Sequence, residues 1–351
     1  MSEFAVYLDY NATTPVDPRV LQAMLPYLTA QYGNPSSGHP LGQRARAAVE
    51  QARNQVALLL GCKAEEIVFT SGGSESNNMA IKGIAYAARE SGRGSHIVTS
   101  VVEHPAVSKP LDFLRKQGFQ VSAVPVDEFG RVDVADVRDA VRRDTILITV
   151  MHANNEVGTI QPIADIATIA RERGVPFHSD AAQTVGKLPV DVTMLGVDLL
   201  TVAGHKLYAP KGVGALFISQ NRALQPLIHG AAHESGRRAG TENVAGIVGL
   251  GLACEIAGQV LELAGKRMTF LRDRLHQGLL RLNDRIVLNG HPTERLPNTL
   301  NVSFPGGSGA DILAQMDGVA ASTGSACHDR RLAISEVLLA MGAGQERGLG
   351  S

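Results

Sequence analysis

The sequence predicts an α/β fold: a mostly parallel sheet sandwiched by helices, with a smaller α+β domain beside it. The first observation is that short β-branched runs alternate with longer helical patterns from about residue 40 to residue 220. Strands separated by helices imply crossover connections and a sheet covered on both faces. The second is that this alternation stops after Thr241, where a long helical stretch and an isolated strand follow. The third is length: 351 residues exceed what one small core needs. The expected division is a large domain at 14–255 and a small one made of 1–13 with 256–351, the first dozen residues packing with the C-terminal part.

In chain order, Gln43 to Leu60 reads as a helix, with Ala47, Val49, Val56, Leu59 and Leu60 apolar and Gly61 as the stop. Ile67-Val68-Phe69-Thr70 is a short buried strand. It runs through Ser71-Gly72-Gly73-Ser74-Glu75-Ser76 into a helix over Asn77 to Arg89. Further strands are expected at Ile97 to Ser100, Val121 to Val126, Thr145 to Val150, Val175 to His178, Leu199 to Ala203 and Val213 to Ile218. Val244 to Leu282 reads as mainly helical, weakened at its start by Gly246, Gly249 and Gly251. Asn298 to Phe304 is a strand before the turn Pro305-Gly306-Gly307-Ser308-Gly309.

Composition narrows the function classes. The formal net charge is −1, which offers no electrostatic reason to expect nucleic acid or a membrane surface as partner. No apolar run looks long enough to cross a bilayer, and the N-terminus lacks the pattern of a signal peptide. Three cysteines, Cys62, Cys254 and Cys327, argue against a disulfide framework and for a reducing, cytoplasmic compartment. No metal site is expected.

Several strand ends carry reactive side chains. At Thr70 to Ser76 a strand meets a helix start, where unpaired N–H groups and glycines at 72 and 73 could cradle an anion, Ser74 adding a hydroxyl. The same residues also read as a plain helix cap. Asp180 follows a buried strand, where open α/β sheets bind ligands. Twenty-six residues later Ala203-Gly204-His205-Lys206 closes a second strand. Lysine forms Schiff bases, and a carboxylate keeps a pyridinium nitrogen protonated as an electron sink. A buried Asp–Lys ion pair is the competing reading. His104, in Glu103-His104-Pro105, could stack on such a ring or move a proton, though a single histidine is commonly structural. Asn155, in His152-Ala153-Asn154-Asn155, could bond a ring oxygen or a substrate carboxylate, or simply sit in a polar turn.

The cysteines differ in setting. Cys254 lies in an apolar helical context and reads as packing, and Cys62 as an incidental residue after Gly61. Cys327 sits among small residues, Gly324-Ser325-Ala326-Cys327-His328, with Arg330 and Arg331 nearby to favour a thiolate.

Taken together these residues resemble the cysteine desulfurases, fold-type I pyridoxal-phosphate enzymes of the class-V aminotransferase-like group. The likeness runs from Tyr7 to about Gly342. It is carried by Leu8-Asp9-Tyr10-Asn11-Ala12-Thr13-Thr14-Pro15, Gly33-Asn34-Pro35-Ser36-Ser37, the Gly72-Gly73-Ser74 cradle, Glu103-His104, Asn154-Asn155-Glu156, Asp180-Ala181-Ala182-Gln183, Gly204-His205-Lys206, Arg238-Ala239-Gly240-Thr241-Glu242-Asn243 and Gly324-Ser325-Ala326-Cys327.

The resemblance implies that pyridoxal 5′-phosphate is held by Lys206, whose freed amine then moves the substrate Cα proton. It implies Asp180 on the pyridinium nitrogen, Gln183 on the ring oxygen, and His104 stacked on the ring. Gly73, Ser74 and His205 would take the phosphate, with Thr241 reaching it from a second subunit of a homodimer. Asn34 and Asn155 would meet the substrate, L-cysteine. Cys327 would accept its sulfur as a persulfide, releasing L-alanine, and a sulfur-acceptor protein would follow, as in iron–sulfur cluster assembly or tRNA thiolation.

Three departures from the family pattern stand out: Ala203 where many relatives carry a serine, Ser74 for the commoner threonine, and an end at Gly350-Ser351 where relatives continue into a strand with a carboxylate-clamping arginine. Two further readings follow. One is a selenocysteine lyase, which the chain resembles in Asp9 to Pro15 and at Ala203. The other is a truncated, non-catalytic scaffold that keeps the cofactor. A nicotinamide dehydrogenase fits poorly, since the glycines lack the required spacing.

Overall fold

A computed structural model describes residues 6–220, 222–323 and 334–351. The chain begins with β1 (Val6–Tyr7), α1 (Pro18–Leu28), α2 (Pro40–Leu60), β2 (Ile67–Thr70) and α3 (Gly73–Glu90). Alternation then sets in with β3 (His96–Ser100), α4 (Pro105–Lys116), β4 (Gln120–Val124), α5 (Val134–Ala140), β5 (Thr145–Thr149), α6 (Ile163–Arg173) and β6 (Phe177–Asp180). Next come α7 (Val192–Leu195), β7 (Leu199–Ala203), β8 (Gly214–Ile218) and α8 (Val244–Leu282). The chain closes with β9 (Val287–Asn289), β10 (Asn301–Ser303), α9 (Gly309–Ala314), β11 (Val319–Ala320), α10 (Glu336–Ala340) and α11 (Gln345–Leu349).

The central sheet has seven strands in the order β2-β8-β7-β6-β5-β3-β4. It is parallel except for β8, which runs antiparallel to both neighbours. Gly214 of β8 is level with Thr70 of β2 on one side and with Ala203 of β7 on the other. The strand residues of β2, β3, β5, β6, β7 and β8 are all buried, as expected of a sheet with helices on both faces. One apolar layer includes Val56, Leu60, Ile166, Phe177 and Leu250; the other includes Met79, Ile81, Leu111, Leu114 and Leu147.

Helix ends follow from local chemistry. Pro105 opens α4 behind His104, whose ring caps the helix. Gly61 ends α2 in the left-handed region at φ 67, where a side chain would be strained.

Two sequence expectations change. α3 starts at Gly73 rather than Asn77, so the glycine-rich turn supplies the helix's own first turn. α8 keeps the expected bounds, Val244–Leu282, with no break at its glycines. It is also, contrary to the sequence reading, long and apolar enough to cross a membrane by length and composition alone, with a window of mean hydropathy 1.8. The glycines explain its place: a Cβ at Gly251 would lie 2.6 Å from the Ala52 Cα, and one at Gly249 would lie 2.8 Å from the Met24 sulfur. They are close-approach positions that seat the first part of α8 on α2 and α1. β1 pairs in parallel with β11.

Candidate active site

The reactive side chains collect where β2, β5, β6 and β7 end. Asp180 is the last residue of β6 and is buried. Its Oδ2 accepts from Asn77 Nδ2 at 2.6 Å and its Oδ1 from the Ala182 N–H at 2.9 Å. Two donors fix the plane of the carboxylate.

Lys206 ends the short 3₁₀ turn Gly204–Lys206 that follows β7. Its Nζ donates to the Asn11 carbonyl and to the Ala12 carbonyl, the latter at 2.8 Å. His104 lies within the field of both groups. Burial pushes its imidazole below the ordinary value, the Asp180 carboxylate pulls it back up, and the Lys206 ammonium pushes it down. Its Nδ1 accepts the Ala106 N–H at 3.0 Å, so in the neutral ring the proton sits on Nε2. Acid and amine both lie close enough to His104 to act on its charge. Among the described residues the Asp180 carboxylate is taken up by Asn77 and the Ala182 N–H, which argues against a simple buried pair.

The anion cradle is built by a strained turn. Gly72 has φ 145 and ψ −177, a conformation open essentially to glycine alone. A Cβ on Gly73 would come within 3.2 Å of the Ala203 Cβ, so the small residue at 203 is part of how the turn fits. Glu75 Oε2 accepts the Ser71 N–H at 2.9 Å, whereas the N–H groups of Gly73 and Ser74 find no acceptor among the described residues. Those two donors lie at the positive end of an 18-residue helix, the arrangement that an anion requires.

His205 is driven down to about 4, first by burial and then by Lys206, Lys211 and Lys187. It is a neutral donor–acceptor at neutral pH, tied to Thr13 Oγ1 at 3.2 Å. Gln183 is buried, its Nε2 donating to the Asn11 carbonyl at 3.0 Å. Asn155 is half-buried and its carbonyl accepts from Asn11 Nδ2 at 3.0 Å. Its neighbour Asn154 shapes that turn by accepting the N–H groups of Glu156 and Val157 at 2.8 and 3.0 Å.

Two predicted residues stand apart. Asn34 is exposed and closes a local turn by accepting the Ser36 N–H at 2.9 Å. Thr241 is exposed on a loop that two ion pairs anchor: Arg53–Glu234 at 2.7 Å and Arg238–Glu75 at 2.9 Å. Cys327, with His328, Arg330 and Arg331, lies outside the described residues. The other cysteines match their sequence reading, both thiols being pushed up to about 12, chiefly by burial.

Sequence reasoning missed Asn77 as a site residue and used Asn11 only as a motif member. Asn11 is a hub: besides the contacts above, its Nδ2 donates to Thr299 Oγ1 at 2.9 Å and its Oδ1 accepts Asn298 Nδ2 at 2.9 Å. Asn77 carried one signal, a buried polar residue one turn beyond the cradle.

The residues present suit pyridoxal 5′-phosphate. The cradle matches a phosphate, the buried carboxylate a protonated ring nitrogen, and the amine a carbonyl carbon. Among the described residues Asn77 Oδ1 and His152 Nδ1 are buried without a partner, as polar groups that await a ligand or water are.

Comparison with known proteins points the same way. The family model described as Aminotransferase class-V matches residues 6–343. A cysteine desulfurase IscS of Dictyoglomus turgidum is 51% identical over 348 residues, covering 99% of this chain and 88% of the relative. A protein of the same name from Methanosarcina thermophila is 50% identical over 344 residues, covering 97% and 84%. Among solved structures, a NifS-like protein superimposes with a TM-score of 0.91 at 39% identity, covering 99% of this chain and 92% of that one. SspA in complex with cysteine gives 0.86 at 37% identity, covering 98% and 96%.

Proposed function

This chain belongs to the aminotransferase class-V family, and from that premise we propose how its crevice works as a pyridoxal-phosphate-dependent cysteine desulfurase. The activity is the conversion of L-cysteine to L-alanine with release of sulfur to the protein. One observation carries the assignment: the Asn11 carbonyl receives both Gln183 Nε2 and Lys206 Nζ, so the turn that follows Asp180 and the lysine turn meet at one point.

Pyridoxal 5′-phosphate, when bound, supplies an electron sink next to the substrate's Cα. The chain's own residues do the rest. Gly73 and Ser74 offer N–H donors to the phosphate, Ser74 adds its hydroxyl, and neutral His205 adds a ring N–H. Asp180, held by Asn77 and Ala182, keeps a proton on the ring nitrogen. Gln183 would hold the ring oxygen and His104 would lie against the ring. Lys206 Nζ anchors the cofactor and then takes the proton from the substrate Cα. Asn155 orients the substrate carboxylate.

Cys327 is the proposed sulfur acceptor. Its thiolate attacks the substrate Sγ, an S–S bond forms as the Cβ–S bond breaks, and the carbon fragment is protonated to alanine. Support comes by elimination, since the thiols of Cys62 and Cys254 are pushed up to about 12 and stay protonated.

We further propose a cytoplasmic homodimer in which Thr241 completes the partner's cradle, and a sulfur-acceptor protein of iron–sulfur cluster assembly downstream. The exposure of Thr241 on an anchored loop and of Leu21, Leu25, Leu28 and Tyr32 around α1 supports the dimer. The packing of the first part of α8 on protein supports a chain that neither crosses a membrane nor needs one. The division into 14–255 and 1–13 with 256–351 remains our reading of the domains, supported by the bonds from Asn11 to Asn298 and Thr299.

The test is to load the protein with pyridoxal phosphate, add L-cysteine, and quantify alanine and protein-bound persulfide. Lys206→Ala should abolish alanine, and Cys327→Ala should abolish persulfide. Alanine formation at the wild-type rate without Lys206 would sink the assignment.

A further inference from the structure

Lys187 is a buried cation that the mechanism above leaves unused. It sits in the turn after β6, is 8% exposed, and its Nζ donates to Gln183 Oε1 at 2.9 Å. Among the described residues no carboxylate lies within ion-pair distance of it. Burying an ammonium without a countercharge is costly. The turn is nevertheless held firmly: Gly186 has φ 78, and a Cβ there would press within 3.3 Å of both Ala257 of α8 and Leu207. The Lys187 N–H closes it by donating to the Thr184 carbonyl at 2.9 Å.

The contact to Gln183 has a directional consequence. An ammonium only donates, so the atom of Gln183 that meets it has to be the amide oxygen. The amide nitrogen is thereby turned to the Asn11 carbonyl, which also receives Lys206 Nζ. Lys187, Gln183, Asn11 and Lys206 form one hydrogen-bonded chain that ends at the cofactor-holding amine. Turned this way, Gln183 keeps one N–H beyond its bond to Asn11, and a ring oxygen that carries negative charge requires a donor.

Resting on the pyridoxal-phosphate reading of this crevice, we propose that Lys187 is a positioning residue: it locks the Gln183 amide with its NH2 toward the site and places a second positive charge beside Lys206. The charged environment agrees. Burial first, then Lys206, brings Lys187 down to about 7. Lys187 in turn acts on His205. No carboxylate of β6, of α8 or of the 204–206 turn contributes to its charge balance.

The experiment follows the visible absorption band of the bound cofactor against pH in wild type, Lys187→Met, Lys187→Gln and Lys187→Arg. Removing a nearby like charge favours the protonated form of its neighbour, so Met and Gln should move the band's midpoint up by about one pH unit. Arg, permanently charged and donor-only, should leave it within a few tenths of wild type or lower it. Gln can still donate to Gln183 Oε1, so cofactor loss on dialysis should quicken several-fold in the Met variant and less in the Gln variant. Unchanged midpoints in both Met and Gln, with folding verified by circular dichroism, overturn the proposal. A wild-type protein with no band at all overturns the cofactor reading beneath it, so the two failures are told apart.

Discussion

Asn77 Nδ2 lies 2.6 Å from Asp180 Oδ2, and the two residues are buried although 103 positions separate them in the chain. Asn77 belongs to α3, the helix whose first turn is the cradle, while Asp180 ends β6. The phosphate end and the ring-nitrogen end of the site are thus fixed to each other by one charge-assisted hydrogen bond.

Asn77→Ala removes that bond and leaves the carboxylate with a single donor. Hydrogen bonds to charged groups contribute about 1.5–3 kcal/mol, so the cofactor should dissociate about ten- to a hundredfold faster. Absorbance of protein after timed dialysis reads this out. A rate equal to wild type would show that Asn77 does not orient Asp180.

Gly72→Ala should damage the same site from the backbone side. At φ 145 an alanine is strained by about 1–3 kcal/mol. The expected outcome is a lower melting temperature together with weaker cofactor retention. Gly92→Ala, at a glycine with φ 66 and open space around it, is the comparison: it should cost stability without touching retention.

Glu103 gives a pH signature. It is buried, with Oε1 accepting from Ser100 Oγ at 2.6 Å and the Met151 N–H at 2.9 Å. Burial, helped by the Asp180 charge, raises it to about 8. Between its ordinary value of 4.5 and about 8 the folded protein holds a proton that the unfolded chain has lost. Its contribution to stability is therefore full below 4.5 and fades as pH rises to about 8. Urea midpoints measured across that window should fall with pH in wild type and fall less in Glu103→Gln. Parallel curves for the two proteins would remove this role.

Thiol labelling separates the cysteines. With thiols at about 12, Cys62 and Cys254 are almost wholly protonated at pH 8 and should resist iodoacetamide in the native state. Mass spectrometry of briefly treated protein should find the label at Cys327 alone. Label on Cys62 at a comparable rate would undercut the elimination that singles out Cys327.

Much of this was legible in the chain. Runs such as Ile67 to Thr70 and Leu199 to Ala203 have the composition of fully buried strands, and the structure places both with those bounds. Lys206, Asp180 and the Gly72-Gly73-Ser74 turn were found because each sits at a strand end, where ligand chemistry concentrates. What escaped depends on partners distant in sequence. Asn11 meets residues 144 to 288 positions away, and no local period marks such a hub. Lys187 carries no local signal, because nothing nearby tells that Ala257 and Leu207 enclose its turn. The α8 glycines looked like breakers, since their use depends on the facing surfaces of α1 and α2.

The reversed β8 strand has an effect on where mutations can be borne. Two successive changes of heading cancel, so β2 and β7 emerge from the sheet on the same side, with Thr70 and Ala203 aligned through Gly214. That alignment spans two strand spacings, about 9.6 Å, and spaces the cradle from the lysine turn. One inserted residue in β8 would slide one of them by about 3.4 Å along the sheet. Such a lesion would silence the protein while every reactive side chain stayed intact, making β8 the ruler by which the site is measured out.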